Sequence, residues 1–199
     1  MLIFRTALRM KQLFPPIPFY FVRHGETNWN RENRVMGQKD IPLNRKGIEQ
    51  AKHAAEILKS INFTLILSSP LIRALKTATI ISDQIHKPIV IINGLKECSL
   101  GIREGDIKGA WLEEWKHGAL IESAEPYGEF IIRIQKTFKE ALSHPSPVLI
   151  VAHNAVYGGI QEVLKLQKHD IGNGVPFYHL PPSPSTPFWS VRRKLKVLL

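Results

Sequence analysis

The stretch FVRHGETNWN, residues 21–30, sets Arg23 beside His24 and follows the pair with a glycine, directly after the apolar run IPFYFV (17–22). A guanidinium stays charged at any working pH, and its planar fork matches two oxygens of a phosphate. A neutral imidazole offers a ring lone pair for attack or proton transfer. Further chemistry-bearing groups stand just past other apolar runs. Ser68, Ser69 and Arg73 follow FTLILS (63–68), Glu97 lies beyond PIVIIN (88–93), and His153 and Asn154 follow PVLIVA (147–152). Two arginines, two histidines and one carboxylate make the inventory of a phosphate site.

The elements that must bring these groups together follow from hydrophobic periodicity. The four apolar runs are short and rich in β-branched or aromatic residues, as buried strands are. Between them, residues 46–60, 71–85, 129–142 and 156–166 repeat apolar residues at helical spacing. Alternating strands and helices predict an α/β three-layer sandwich, with a mostly parallel central sheet and helices on both faces. PFYHL (176–180) and FWSVRRKLKVL (188–198) flank the loop PPSPSTP and predict an antiparallel C-terminal edge. Open sheets of this kind bind ligands outside the carboxyl ends of their strands, which is where Arg23, His24, Arg73, Glu97 and His153 fall. After the second strand, Ser69 is expected as an N-cap and Pro70 as the first helical residue, with Arg73 in the first turn. A cation at the positive end of a helix makes sense when both act on one bound anion.

Composition narrows the function classes. A chain of 199 residues suits one domain, with residues 1–16 as a weakly ordered extension. Arg5, Arg9 and Lys11 interrupt the N-terminal apolar stretch, so no signal peptide is expected. No run reaches the roughly 18 apolar residues of a membrane span, and no membrane partner is expected. The single cysteine, Cys98, excludes an intrachain disulfide framework and fits a cytoplasmic location. The net charge of +10 favours anionic partners. Only RRKLK (192–196) is a dense basic cluster, and without a basic helix or an aromatic-studded strand it does not predict nucleic-acid binding. A small phosphorylated substrate suffices. The remaining histidines, His53, His86, His117, His144, His169 and His179, have no comparable neighbours and read as structural or solvated.

RHGETNWN, GQKDIPLNRKGIEQA, SSPLIRALKTA, LKECSLGIREG and VLIVAHN, in that order between residues 18 and 164, resemble the successive motifs of the histidine phosphatase superfamily, in its phosphoglycerate mutase-like branch. The resemblance implies a phosphoglycerate mutase-like fold and a metal-independent, cofactor-free enzyme. It makes His24 the nucleophile that becomes phosphohistidine. Arg23, Arg73 and His153 become a cradle for the phosphoryl oxygens, Asn30 a further phosphate contact and Glu97 the proton donor to the leaving oxygen. Glu26 and Glu104 are the rival carboxylates, Glu26 within a turn motif and Glu104 in the REG element. Gly25 allows a close backbone approach that a side chain would block.

Two departures from the pattern stand out. Asn154 replaces the usual glycine after the second histidine, where it either narrows the pocket or adds a substrate hydrogen bond. SAEPYGEF (123–130) lacks the usual Gly-Glu-Ser, so no phosphate contact is expected from it. Trp111, Trp115 and Tyr127 are candidates for an apolar rim over the ligand. Three activities remain open: a phosphatase acting on a small phosphomonoester, a cofactor-dependent phosphoglycerate mutase, and a non-catalytic phosphate-ligand binding module. The resemblance favours the first, since mutases of the family are longer and carry a different signature after the donor motif. Neither the physiological substrate nor the oligomeric state follows from the sequence.

Overall fold

The computed structural model describes residues 14–192. Six strands form one sheet: β1 (Phe19–Arg23), β2 (Ile66–Ser68), β3 (Ile89–Ile91), β4 (Val148–Ala152), β5 (Pro176–Leu180) and β6 (Ser190–Arg192). Their order is β3-β2-β4-β1-β5-β6. The first four run parallel, and β5 and β6 add the antiparallel edge. The expected mixed α/β sheet is therefore present. Arg192 closes β6, and the rest of the basic cluster, residues 193–196, lies outside the described residues.

Six α-helices accompany the sheet: α1 (Asn28–Arg31), α2 (Arg45–Leu58), α3 (Ile72–Ile85), α4 (Trp111–Lys116), α5 (Tyr127–Ala141) and α6 (Asn154–Val163). The pleat explains how they cover both faces. Phe19 and Phe21 of β1, with Val148 and Ile150 of β4, join Phe130, Ile134 and Phe138 of α5 and Val156 and Ile160 of α6 in one core. The alternating Tyr20, Val22, Leu149 and Val151 face the other way, into a core with Ala54, Ala55 and Leu58 of α2 and Ala74, Ala78 and Ile81 of α3. Each fully buried side chain of this size contributes about 1.5–3 kcal/mol. Phe14, at the start of the described chain, packs edge-on against Phe138.

Neighbouring strands β1 and β4 thus send their following helices to opposite faces, α2 to one and α6 to the other. That divergence opens a crevice at their carboxyl ends. The ladder continues one residue past β1, where His24 N–H donates to the Ala152 carbonyl at 3.0 Å. Arg23 and His24 are therefore fixed against the end of β4, beside His153.

The start of α3 differs from the sequence expectation. The helix begins at Ile72 with Leu71 as N-cap, and Ser69 does not cap it. The Ser69 hydroxyl is engaged by His153 Nε2 at 2.8 Å. Asp40, 32 residues away, caps the helix instead by accepting the Ile72 N–H at 2.7 Å. A tertiary partner has taken the local capping group, and a second tertiary contact supplies the cap.

Gly25 is required for a reason internal to the fold. A Cβ there would stand 2.2 Å from the Gly47 carbonyl oxygen, and one on Gly47 would stand 2.1 Å from the Glu26 oxygen. The two backbones cross with no side chain between them, seating the first turn of α2 directly under the His24 loop. Gly25→Ala is expected to destabilise the protein by about 3 kcal/mol, lowering Tm by roughly 6–12 °C. Gly128→Ala, where a Cβ meets nothing within 4 Å, is expected to leave Tm unchanged or slightly raised, as thermal unfolding followed by circular dichroism would reveal.

Candidate active site

His24 is only 2% exposed. Its Nδ1 lies 2.7 Å from the Gly25 carbonyl, a group that can only accept, so Nδ1 carries the proton and Nε2 keeps its lone pair. The Gly25 N–H donates in turn to Thr77 Oγ1 at 3.0 Å, and the Thr77 hydroxyl donates to the Arg73 carbonyl at 2.8 Å. The residue whose carbonyl orients the imidazole is thus tied to α3 through its own N–H, and the N–H of the next residue, Glu26, donates to Gln50 Oε1 of α2 at 2.8 Å. Burial, and then the charges of Arg73 and Arg23, push the His24 pKa well below its ordinary value. The ring is held neutral among cations, the state a nitrogen nucleophile needs.

Arg73 is fully buried, deeper than an arginine usually sits. It spends two of its five N–H donors on the Lys39 and Gly37 carbonyls, both at 2.8 Å. Its Nε has no partner among the described residues. Arg23 donates through one terminal nitrogen to the Ile171 carbonyl at 3.2 Å, and its buried Nε is likewise unpartnered. An unsatisfied buried donor costs about 1–3 kcal/mol, more when charged. An oxyanion bound beside His24 would relieve both.

His153 contributes no surface to the cavity, but its ring centre lies 5.2 Å from that of His24. The Leu71 N–H donates to Ser69 Oγ at 3.3 Å, and His153 Nε2 shares a 2.8 Å hydrogen bond with the same hydroxyl. The other ring nitrogen, Nδ1, is buried and has no partner among the described residues. Burial first, and then Arg73, push this histidine's pKa well down as well.

Glu97 follows the β3 exit through a short 3-10 turn (Asn93–Leu95). Its carboxylate accepts from the amides of Ala155 and Val156 at 3.1 and 3.2 Å, in the first turn of α6, and from Cys98 N–H at 3.2 Å. The rival carboxylates are occupied elsewhere. Glu104 Oε1 binds the Gln38 and Leu100 amides, and Glu26 holds Asn44 and Lys46 at the start of α2. Asn30 uses its side-chain oxygen in a capping box with Thr27 at the start of α1, and its Nδ2 makes no hydrogen bond among the described residues. Asn154 is exposed on the cavity wall, and its side chain hydrogen-bonds none of the described residues.

Arg23, His24, Asn30, Arg73, Glu97 and Asn154 all line one cavity of about 540 Å³. Its outer wall includes Trp115 and Tyr127, packed edge to face at 5.0 Å. Trp111 lies outside it, packed on the core with Arg103 over its ring at 5.4 Å. Sequence reasoning missed Lys108, a cavity-lining lysine whose pKa is lowered by burial and by the charge of Arg23. It sits in an irregular loop, where no periodicity marks it. Two histidines set aside earlier also have defined surroundings. His179 is buried and stacks on Phe19 at 4.2 Å, and His169 lines the cavity and shares the Tyr157 hydroxyl with it. Among the described residues no group of three or more His, Cys, Asp or Glu is placed to hold a metal ion, and no helix is long and apolar enough to cross a membrane.

Residues 19–171 match the family model described as histidine phosphatase superfamily (branch 1). The chain belongs to that superfamily. A probable phosphoglycerate mutase of Enterobacter sp. (strain 638) is 34% identical over 151 residues, 70% of each chain. An uncharacterized phosphatase of Bacillus subtilis (strain 168) is 45% identical over 84 residues, 42% of this chain and 44% of that one. Among solved structures, a mycobacterial glucosyl-3-phosphoglycerate phosphatase solved with VO3 superposes with a TM-score of 0.75 at 26% identity, covering 88% of this chain and 97% of that one. The alpha-ribazole phosphatase of Shigella flexneri gives 0.77 at 26%, covering 91% and 97%. Both of these solved structures are named as phosphatases.

Three buried neutral histidines have a thermodynamic consequence. His24 and His153 lie well below 6.5, and burial takes His179 to about 3. As pH falls below 6.5 the unfolded chain takes up protons that the folded chain refuses, so stability declines by up to about 1.4 kcal/mol per pH unit for each such histidine. Urea unfolding midpoints are expected to be flat above pH 7.5 and to fall between pH 6.5 and 5.5, above the carboxylate range. A profile level through pH 5.5 would mean that these rings do not sit neutral in the folded state.

Proposed function

We propose that this chain is a phosphatase that hydrolyses a small phosphomonoester through a phosphohistidine on His24, with Glu97 as proton donor and no metal or other cofactor. The observation that carries the reading is the 2.7 Å hydrogen bond from His24 Nδ1 to the Gly25 carbonyl, in a desolvated site flanked by Arg23 and Arg73. It leaves Nε2 as the one ring atom able to attack.

In the first step Nε2 forms a bond to phosphorus as the ester P–O bond breaks, and the leaving oxygen takes the Glu97 proton. Glu97 must carry that proton at the moment of cleavage. In the second step water attacks the phosphohistidine, and the Glu97 carboxylate accepts the water's proton. Inorganic phosphate leaves and the neutral imidazole returns. Arg23, Arg73 and Asn30 retain N–H donors for the three equatorial oxygens, where transition-state charge spreads, and His153 stands beside His24 behind them. Asn154 and Lys108, on the cavity wall, suit contacts to the rest of the substrate.

A phosphoglycerate mutase would share the first step and return the phosphoryl group to a second hydroxyl. The likeness of this chain to two solved structures named as phosphatases supports water as the acceptor, and the mutase-named relatives keep phosphoryl transfer between hydroxyls as the second reading. A non-catalytic phosphate-binding module would not need a nucleophile held in one tautomer.

His24→Ala is expected to abolish hydrolysis of p-nitrophenyl phosphate, and rapid acid-free quenching of the native protein during turnover is expected to trap acid-labile, base-stable phosphate on His24. Phosphate on a serine or aspartate would overturn the mechanism. Phosphoglycerate interconversion faster than phosphate release would assign the mutase reaction instead. Arg73→Ala is expected to lose at least a hundredfold in kcat, in line with the roughly 3–4 kcal/mol that one buried oxyanion donor supplies.

A further inference from the structure

Arg133, on α5, uses all five of its N–H donors. Its Nε and one terminal nitrogen hold Glu125 in a fork-to-fork pair at 2.7 and 2.6 Å. The remaining donors reach three carbonyls of the segment that carries the candidate proton donor: Gly94 at 2.6 Å, Lys96 at 2.9 Å and Glu97 itself at 3.3 Å. One helical turn on, Thr137 closes over the same segment, since a Cβ on Gly94 would lie 1.9 Å from its hydroxyl. The Glu97 carbonyl also accepts from Gln38 Nε2 at 3.1 Å.

Glu97 is therefore held at two ends by two different helices. α6 orients its carboxylate through the Ala155 and Val156 amides, and α5 fixes its backbone through Arg133. The helices are locked to one another, because Gly159 of α6 meets Ile134 of α5 so closely that a Cβ would stand 3.1 Å from it. A carboxyl group that must deliver a proton to one oxygen has to be placed within a few tenths of an ångström. Bidentate guanidinium pairing provides that stiffness where a lysine's single ammonium would not.

We propose that Arg133, braced by Glu125, is a positioning residue for proton donation by Glu97. This rests on the reading of Glu97 as the donor. The segment Glu125–Arg133 takes the place of the expected Gly-Glu-Ser element, and its function here is to aim the acid without touching phosphate.

The test compares an aryl phosphate, whose leaving group departs without a proton, with an alkyl phosphate such as glycerol phosphate, whose leaving group needs one. Arg133→Lys is expected to lose roughly 10- to 100-fold in kcat on the alkyl ester, part of the typical general-acid contribution, and less than about threefold on the aryl ester. Glu125→Gln, which keeps the carbonyl contacts and removes only the ion pair, is expected to show the same selectivity more weakly and provides a readout should Arg133→Lys fold poorly. In a Glu97→Gln background, Arg133→Lys is expected to add no further alkyl-selective loss. Equal losses on both esters in Arg133→Lys and Glu125→Gln, with Glu97→Gln selective, would overturn the positioning role alone. Absence of selectivity in Glu97→Gln would overturn the donor reading and the positioning role with it.

Discussion

A single hydrogen bond to a carbonyl one residue away determines which nitrogen of His24 is free, and much of the surrounding fold serves to keep that carbonyl in place. The Gly25 peptide is caught between Thr77 on α3 and the Gly47 backbone at the start of α2. Neither contact tolerates a shift, because one is a buried hydrogen bond and the other a backbone crossing without side chains. The orientation of one imidazole is thereby linked to the packing of two helices against the sheet, and the core that packs them stabilises the site as a by-product.

The same burial that orients the site also sets its electrostatics. Arg73 is sunk completely between α3 and the 37–39 loop, where two carbonyls satisfy part of its fork and leave the rest uncommitted. Desolvation and the two guanidinium charges act in the same direction on His24 and His153, making protonation unfavourable. A site that is electropositive yet holds its imidazoles neutral is poor at binding protons and well suited to binding an oxyanion. Glu97 shares this cavity, where its carboxylate is held by the amides of α6 and its charge acts on both Arg23 and Arg73.

Several elements were legible in the sequence for identifiable reasons. The buried strands read as continuous apolar runs because both faces of the sheet are covered, and the residues just past each run fall at the cavity because parallel strands end on one side. Arg23, His24, Arg73 and Glu97 are therefore found at the cavity, and His153 directly behind it. The start of α3 was misplaced because Ser69, a good local cap, bonds His153 from the far end of the chain. Lys108 escaped notice because an irregular loop carries no periodic signal, and Arg133 because a charged residue on a helix face looks solvated until its acceptors are known. His169 and His179 gave no sign of sharing Tyr157, since that contact depends on α6 meeting the antiparallel edge.

By itself the sequence determined which residues can do chemistry and that they stand at strand exits, because residue type and hydrophobic period are local properties. The tertiary structure decided the working state of each one: the tautomer of His24, the uncommitted donors of Arg23 and Arg73, and the clamp on Glu97. Those states depend on hydrogen-bond partners up to 148 residues apart in the chain and on the loss of water around them, and no local pattern encodes either.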